Sequence, residues 1–565
     1  MPMIELTRYL RTTRVAYFSM EIGIRPEIHT YSGGLGVLAG DAARSAADLD
    51  LPIVFVTLVS REGYLRQEID PEGNQIDCPD PWKPEDYTRP VGAMVAVAIE
   101  GRAVWIRPWL YELQSPLGRQ VPIILLDTNV AENDPQDRAI TNRLYGGNEI
   151  DRIKQEIVLG IGGERMLRAL GFAVRTYHLN EGHAAFLALS LLLRHRQNAT
   201  DIAGPLSYDI DRVRQQCVFT THTPVEAGHD RFKYDEVRRV LGDVIELDQL
   251  KLLAGTDHLN MTRLALTLSA YVNGVARRHA ETAQNMFPEH HVRAVTNGAH
   301  VPTWMHPRIA ALFERVAPHW ASEPVSLVKA DEIPDEALWS AHQQAKSELI
   351  AEIARVTGVA MRPDVPLLGF ARRMTGYKRP DLLFSDIELL RVIHKRHPFQ
   401  IVMAGKAHPR DQEGKVLIRA VHAHMRELKE ISVAFLPNYN MGLAAKLISG
   451  TDVWLNTPLP PFEASGTSGM KAAFNGVLNF SALDGWWLEG WDEGVTGWAI
   501  GADWSVAAAH AADFYQKLGD TVLPLYYGNR SHWIWMMKQS IAKIGSVFNS
   551  QRMMRRYATE AYVRS

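Results

Sequence analysis

Short apolar runs rich in β-branched residues alternate with longer helical patterns along this 565-residue chain, and that alternation limits most strongly what it can fold into. Parallel strands need crossovers long enough to hold a helix, so the rhythm predicts an α/β protein built on parallel sheets. In the first half, strands are expected at residues 15–20, 52–59, 121–128, 175–180 and 217–222, with a long helix over 148–170 closed by Gly171. In the second half they are expected at 366–372, 399–405, 431–437, 452–457 and 476–482. Polar and glycine-containing residues follow nearly every run, at the carboxyl ends where open α/β sheets gather their ligands.

The length allows more than one core. A helical stretch over 335–358, bounded by Pro334 and Pro363, reads as the hinge between two domains, 1–300 and 301–565. Each is expected to be a Rossmann-like, doubly wound sheet, the two facing each other across a cleft, with the last helix a candidate to pack back on the first domain. No internal repeat or low-complexity tract interrupts the pattern. With 46% hydrophobic and 22% charged residues and a net charge of −3, the composition is that of a soluble globular protein. No long basic run offers a track for nucleic acid. Cys78 and Cys217 cannot make a disulfide framework or a metal site, which fits a reducing, cytoplasmic setting. Neither a signal sequence nor a membrane-spanning run is found.

The most informative segment is EASGTSGMK, residues 463–471. Ala464 to Gly469 give a backbone of amides and hydroxyls leading into a helix expected near Met470, a turn suited to anions or sugar hydroxyls. Glu463 opens the segment as an acceptor. Lys471 falls on the first helical turn, where the helix dipole and burial both disfavour its ammonium and suit it to carbonyl chemistry. Read alone, the string is a glycine-rich helix start with a solvated lysine. A second segment, GFARRMTGYKRPDLL, leaves a strand for an expected helix, with Arg372, Arg373, Lys378 and Arg379 around Thr375 and Gly376. Four cations at such a turn make an anion site, or else a solvated basic loop.

In the first half, TYSGGLGVLAGD should turn tightly into a helix, with Gly33 and Gly34 permitting close approach of a phosphate. LNEGHAAF puts His183 just past a strand beside Asn180 and Glu181, where a neutral imidazole can hydrogen-bond a sugar. The 14 tryptophans, Trp486 and Trp487 among them, supply either core or sugar-stacking faces.

Taken in order, these segments resemble the motifs of the glycogen, starch and maltodextrin phosphorylases, most nearly the shorter maltodextrin type. The resemblance implies pyridoxal 5'-phosphate held as a Schiff base on Lys471, with Thr467, Arg372, Gly34 and Tyr439 (in LPNYNMGLA) also on the cofactor. It implies His183, Arg373 and Lys378 as catalytic residues. Glu463, Ser465, Gly466, Gly33 and Asn273 (in YVNGVA) would bind the glucosyl unit, and His222 (in FTTHTPVEAGHD) would play a neighbouring structural part. The implied reaction is reversible, retaining phosphorolysis of an α-1,4-glucan to α-glucose 1-phosphate, without a metal. Its partners would be glucan or maltooligosaccharide and phosphate, with a homodimer as one option. The chain is shorter than the animal and plant members, so their allosteric and phosphorylation control is expected to be absent. A nucleotide-sugar glucosyltransferase of the glycogen-synthase type and a non-catalytic glucan-binding relative are the alternatives; Ser32, where the synthases carry a lysine before the glycine loop, disfavours the first.

Overall fold

The computed structural model describes residues 3–196, 207–501 and 509–563. The chain forms two compact units, one of Met1–Leu65, Pro79–Thr296 and Met553–Ser565, the other of Arg66–Cys78 and Asn297–Arg552. Every strand expected from the sequence forms, with each end within two residues of its expected place.

The sheet of the first unit runs in the order Arg293–Ala294, Tyr271–Gly274, Cys217–Thr220, Thr176–Asn180, Val15–Ser19, Ile53–Leu58, Gln120–Asp127 and Arg102–Gln114. All neighbours through Gln120–Asp127 are parallel; Arg102–Gln114 is antiparallel, as are Arg89–Pro90 and Val95–Ile99 beside it. The antiparallel edge was not anticipated: Val97, Ile99, Val104 and Ile106 alternate with more accessible positions, but these carry Ala98, Ala103 and Trp105, which blur the polar–apolar alternation in the sequence. In the central strands the period of two divides the core cleanly. Ala16, Phe18, Val54 and Val56 enter one cluster, while Val15, Tyr17, Ile53 and Phe55 enter the other, together with Met553, Met554 and Tyr557. Both faces are covered, which is why these strands read as unbroken apolar runs.

Winding begins at Val15–Ser19 and proceeds in both directions, so the carboxyl end of this strand is a topological switch point. The expected helix over 148–170 forms as Glu149–Ile157, a π-helical turn Val158–Gly162, and Gly163–Ala169. It is capped by Asn148 and followed by Gly171 at φ 89°.

The second unit carries six parallel strands in the order Val433–Leu436, Gln400–Ala404, Leu367–Ala371, Val453–Asn456, Leu478–Ala482 and Gly497–Ile500. Numbered along the chain this is 3-2-1-4-5-6, the Rossmann order, with its switch point between Leu367–Ala371 and Val453–Asn456. The hairpin Arg66–Ile69/Gln75–Cys78 belongs to this unit. Its buried glutamines reach strand-end backbone: Gln67 Nε2 donates to the Gly405 carbonyl and Gln75 Nε2 to that of Ala407, at 2.8 and 2.9 Å.

Beneath the second sheet, the helix Asp335–Thr357 delivers His342 and Lys346 to Asp452. The carboxylate lies 2.9 Å from His342 Nε2 and 2.7 Å from Lys346 Nζ, and it accepts the Leu367 amide at 2.7 Å. Burial alone would raise the Asp452 pKa; the lysine and histidine outweigh it and hold it at about 2. A folded pKa below the unfolded value contributes stability that is present above about pH 4 and lost as pH falls toward 2. Lys346→Met strands this buried charge and is expected to cost about 3–5 kcal/mol, read as a lower denaturation midpoint in urea. A change under 1 kcal/mol would show that the pair does not hold the sheet. Among the described residues, no helix is long and apolar enough to cross a membrane.

Candidate functional site

The polar segments of both units fall at the carboxyl ends of parallel strands, as the sheet orders require. In the second unit, the strands flanking the switch point run into Arg372–Lys378 on one side and the loop from Thr457 to Glu463 on the other. Glu463 carries the junction: Arg372 donates to its carboxylate, and Lys378 Nζ lies 2.5 Å away. Burial would push the Glu463 pKa up, but the two cations bring it to about 2. Arg379 does not join them; it donates to the carbonyls of Thr457 and Pro458, each at 2.8 Å, and meets His510 Nδ1. Arg373 is exposed.

The expected helix directly after this segment does not form. Residues Gly376–Lys378 and Leu382–Phe384 make only 3₁₀ turns, and the α-helix starts at Ile387, capped by Asp386. Pro380 accounts for the difference, because it lacks an amide hydrogen and disfavours α conformation in the residue before it. Arg379 sits at φ 45°, ψ 58°, in the left-handed region and not in the extended region that a following proline favours. The positive potential near Lys378 therefore comes from side chains and not from a helix dipole.

The lysine segment enters the helix Ser468–Ala473, two residues earlier than expected, with Thr467 at its N-cap. Lys471 is 6% exposed, its Nζ 4.0 Å from the Trp304 ring centroid. Asn475 fixes this pair, donating to the carbonyls of Lys471 and Trp304 at 3.0 and 2.9 Å. Gly469 is required here, since a Cβ would lie 2.3 Å from Asn479 Oδ1 and 2.8 Å from Trp486. Trp486 and Trp487 are themselves buried and pack on one another, as core. Ser465 Oγ and Arg372 Nη1 are buried polar atoms without hydrogen-bond partners among the described residues. Tyr439 is half-buried between the strand Val433–Leu436 and the helix Met441–Gly450.

Asp484, which sequence reasoning missed, ties the loop down. It accepts the amides of Glu463 at 2.8 Å and Gly485 at 2.9 Å. Burial, reinforced by the Glu463 charge, moves its pKa from 3.8 to about 7. A raised acid pKa means that the folded state keeps a proton the unfolded chain has lost, so stability falls as pH rises from about 4 to 7. The slope is at most about 1.4 kcal/mol per pH unit. Asp484→Asn should gain stability relative to the native chain across that interval; parallel curves in urea unfolding would contradict the shift.

In the first unit, His183 lies in the 3₁₀ turn Gly182–Ala184 after the strand Thr176–Asn180. Its Nε2 is 3.4 Å from Asp230, which pairs with Arg152 at 2.7 Å, and its Nδ1 has no partner among the described residues. Burial, with Arg152 adding to it, depresses the His183 pKa to about 4, so the ring is neutral at pH 7. Asp230 is held at about 2, Arg152 overcoming the effect of burial. Glu156, fully buried beside them, is pushed well up by burial and by Asp230.

Glu181 adopts φ 75°, ψ 165°, an unfavourable backbone for a residue with a side chain. Its carboxylate accepts the amides of Gly182 and His222 at 2.9 and 2.7 Å and the Thr223 hydroxyl at 3.0 Å. His222 Nε2 is 2.7 Å from Asn180 Oδ1. Asn273 is fully buried, with Thr220 donating to its Oδ1 at 2.9 Å and its Nδ2 donating to the Tyr557 hydroxyl at 3.1 Å. Its side chain is thus engaged within the protein. The glycine segment turns as expected, Gly33 capping the helix Gly34–Asp48.

Residues 213–494 match the family model described as carbohydrate phosphorylase. The chain is 40% identical to the maltodextrin phosphorylase of Thermococcus litoralis, over 97% of this chain and 70% of that protein. It is 36% identical to the glycogen phosphorylase of Mycobacterium tuberculosis, over 97% and 71%, and 36% identical to that of Aquifex aeolicus, over 97% and 86%.

Proposed function

The chain belongs to the carbohydrate phosphorylase family, and on that footing we propose that it is an α-1,4-glucan phosphorylase of the cytoplasm, cleaving the terminal glucose of a glucan with inorganic phosphate to give α-glucose 1-phosphate with retained configuration. The observation that carries the reading is the pairing of two cations, Arg372 and Lys378, with one buried carboxylate at the switch point of the Rossmann-ordered sheet. That arrangement combines an anion site with an acceptor for sugar hydroxyls.

The second unit also fits pyridoxal phosphate. Lys471 offers a buried amine against an aromatic ring, and Ser465 Oγ and Arg372 Nη1 are buried polar atoms with hydrogen-bonding capacity to spare. Lys471 would hold the cofactor, with Thr467, Arg372 and Tyr439 on its ring and phosphate. Bound there, it would supply a phosphate monoester whose second pKa near about 6 suits proton exchange at neutral pH.

The chain's own residues then divide the remaining work. Arg373 and Lys378 bind inorganic phosphate and hold negative charge beneath the glucosyl carbon as positive charge develops on it. Glu463, Ser465 and Gly466 take the glucosyl hydroxyls. His183, neutral at pH 7, presents Nδ1 as an acceptor while Asp230 orients Nε2. Asn273, its side chain already satisfied, acts by positioning the strand end beside Thr220.

The test is phosphate release from glucose 1-phosphate with a short maltooligosaccharide acceptor, together with borohydride reduction and peptide mapping. A pyridoxyl group on Lys471 and release of phosphate are expected. Glucosyl transfer from a nucleotide sugar, with none from glucose 1-phosphate, would overturn the proposal.

A further inference from the structure

We propose that Glu21 is a positioning residue for the glycine loop, an internal anion that occupies the loop's first two amides and leaves only the Gly34 side for a ligand's phosphate. Glu21 lies two residues beyond the strand Val15–Ser19, at the switch point of the first sheet, and is 2% exposed. Its Oε2 accepts the amides of Ser32 and Gly33 at 2.6 and 3.3 Å, and the Ser32 hydroxyl reaches both carboxylate oxygens at 3.2 Å. Its Oε1 accepts the Tyr145 hydroxyl at 2.8 Å. A carboxylate at the start of the helix Gly34–Asp48 is favoured by the helix dipole and the unpaired first-turn amides. A phosphate competing for the same two amides would meet like charge.

The glycine pattern agrees with this division of the loop. A Cβ at Gly36 would sit 2.5 Å from Glu21 Oε2, whereas a Cβ at Gly34 would meet nothing within 4 Å. The second glycine therefore faces open space and the third makes room for the carboxylate. Glu21 also reaches beyond the loop. Tyr145, held at φ 55°, stacks its ring 4.8 Å from the Arg152 guanidinium and presents an edge contact to His183 at 5.6 Å. One carboxylate thus ties the glycine loop to the cluster that orients His183.

The proposal rests on the phosphorolysis reading for its kinetic consequence but not for its structural one. Glu21→Gln, Gly36→Ala and Tyr145→Phe are compared in the full chain by amide hydrogen exchange over residues 30–36 and by steady-state kinetics with orthophosphate. Glu21→Gln should speed exchange in that segment roughly tenfold and raise the KM for orthophosphate roughly tenfold, with kcat changed less than about threefold. Gly36→Ala should act in the same direction, because its Cβ would lie 2.5 Å from Glu21 Oε2 and 2.7 Å from the Tyr31 Cβ, and Tyr145→Phe more weakly. Unchanged exchange in Glu21→Gln and Gly36→Ala overturns the proposal. So does faster exchange with an unchanged KM for orthophosphate, or an equal fall in kcat. If the native chain shows no phosphorolysis, the function reading fails and the exchange measurement alone decides the role of Glu21. Should Glu21→Gln not fold, the other two variants, which keep the carboxylate, carry the test.

Discussion

Lys471→Ala is expected to abolish phosphorolysis, by at least roughly 1,000-fold in kcat/KM, while leaving the fold intact. The side chain is buried against Trp304 on a short helix whose backbone is held independently, by Asn475 and by the packing of Gly469 against Asn479 and Trp486. Alanine is the best helix former, so truncation removes the amine without disturbing the turn that presents it. Near-ultraviolet circular dichroism should therefore match the native chain once the contribution of bound chromophore is subtracted. Borohydride treatment should label no peptide from residues 463–475. Lys471→Arg should be equally inactive, because a guanidinium keeps the charge but cannot form the carbonyl adduct. Substantial turnover in either variant would mean that Lys471 is not the anchoring residue.

The sequence made the strands legible for a specific reason. Residues such as 53–58 and 123–126 are buried on both sheet faces, so they appear as continuous apolar runs, and the turns between elements are marked by glycine and proline. The segments that follow strands were legible too, because glycines and cations concentrate there. What escaped were partnerships between residues far apart in the chain. Nothing local ties Asp230 to Arg152, 78 residues away, or Gln67 to Gly405, 338 away. Asp484 lies 21 residues from Glu463, behind a strand, and looks like an ordinary turn aspartate. Glu21 was hidden by its position directly after an apolar strand, where a single acid carries no pattern. Its 11-residue separation from Ser32 could have been noticed only by asking what fills the first amides of a glycine turn. The missing helix after Lys378 was a different failure. Pro380 was in plain view, and its interruption of a helix follows from the missing amide hydrogen and from sterics alone.

Glu463→Gln should separate the two roles proposed for this side chain. The carboxylate is now the shared counterion of Arg372 and Lys378, and these cations hold it ionised down to about pH 2. The amide keeps the shape and one acceptor oxygen but removes the charge. As a hydroxyl acceptor it is weaker, since hydrogen bonds to a charged group contribute about 1.5–3 kcal/mol against about 1 for a neutral one. Together with loosened cations, this should lower kcat/KM for the glucan by roughly 100-fold or more. The anion site should respond in the opposite sense. Two buried cations without their carboxylate carry uncompensated charge, so inorganic phosphate or sulfate should bind several-fold more tightly, and the gain should shrink with added salt. Lys378→Met makes the contrasting case, because it leaves Glu463 facing Arg372 alone and should weaken anion binding. Titrating both variants with sulfate, beside glucan kinetics, tests the assignment directly. If anion affinity falls in Glu463→Gln as it does in Lys378→Met, the carboxylate is serving only to hold the loop together.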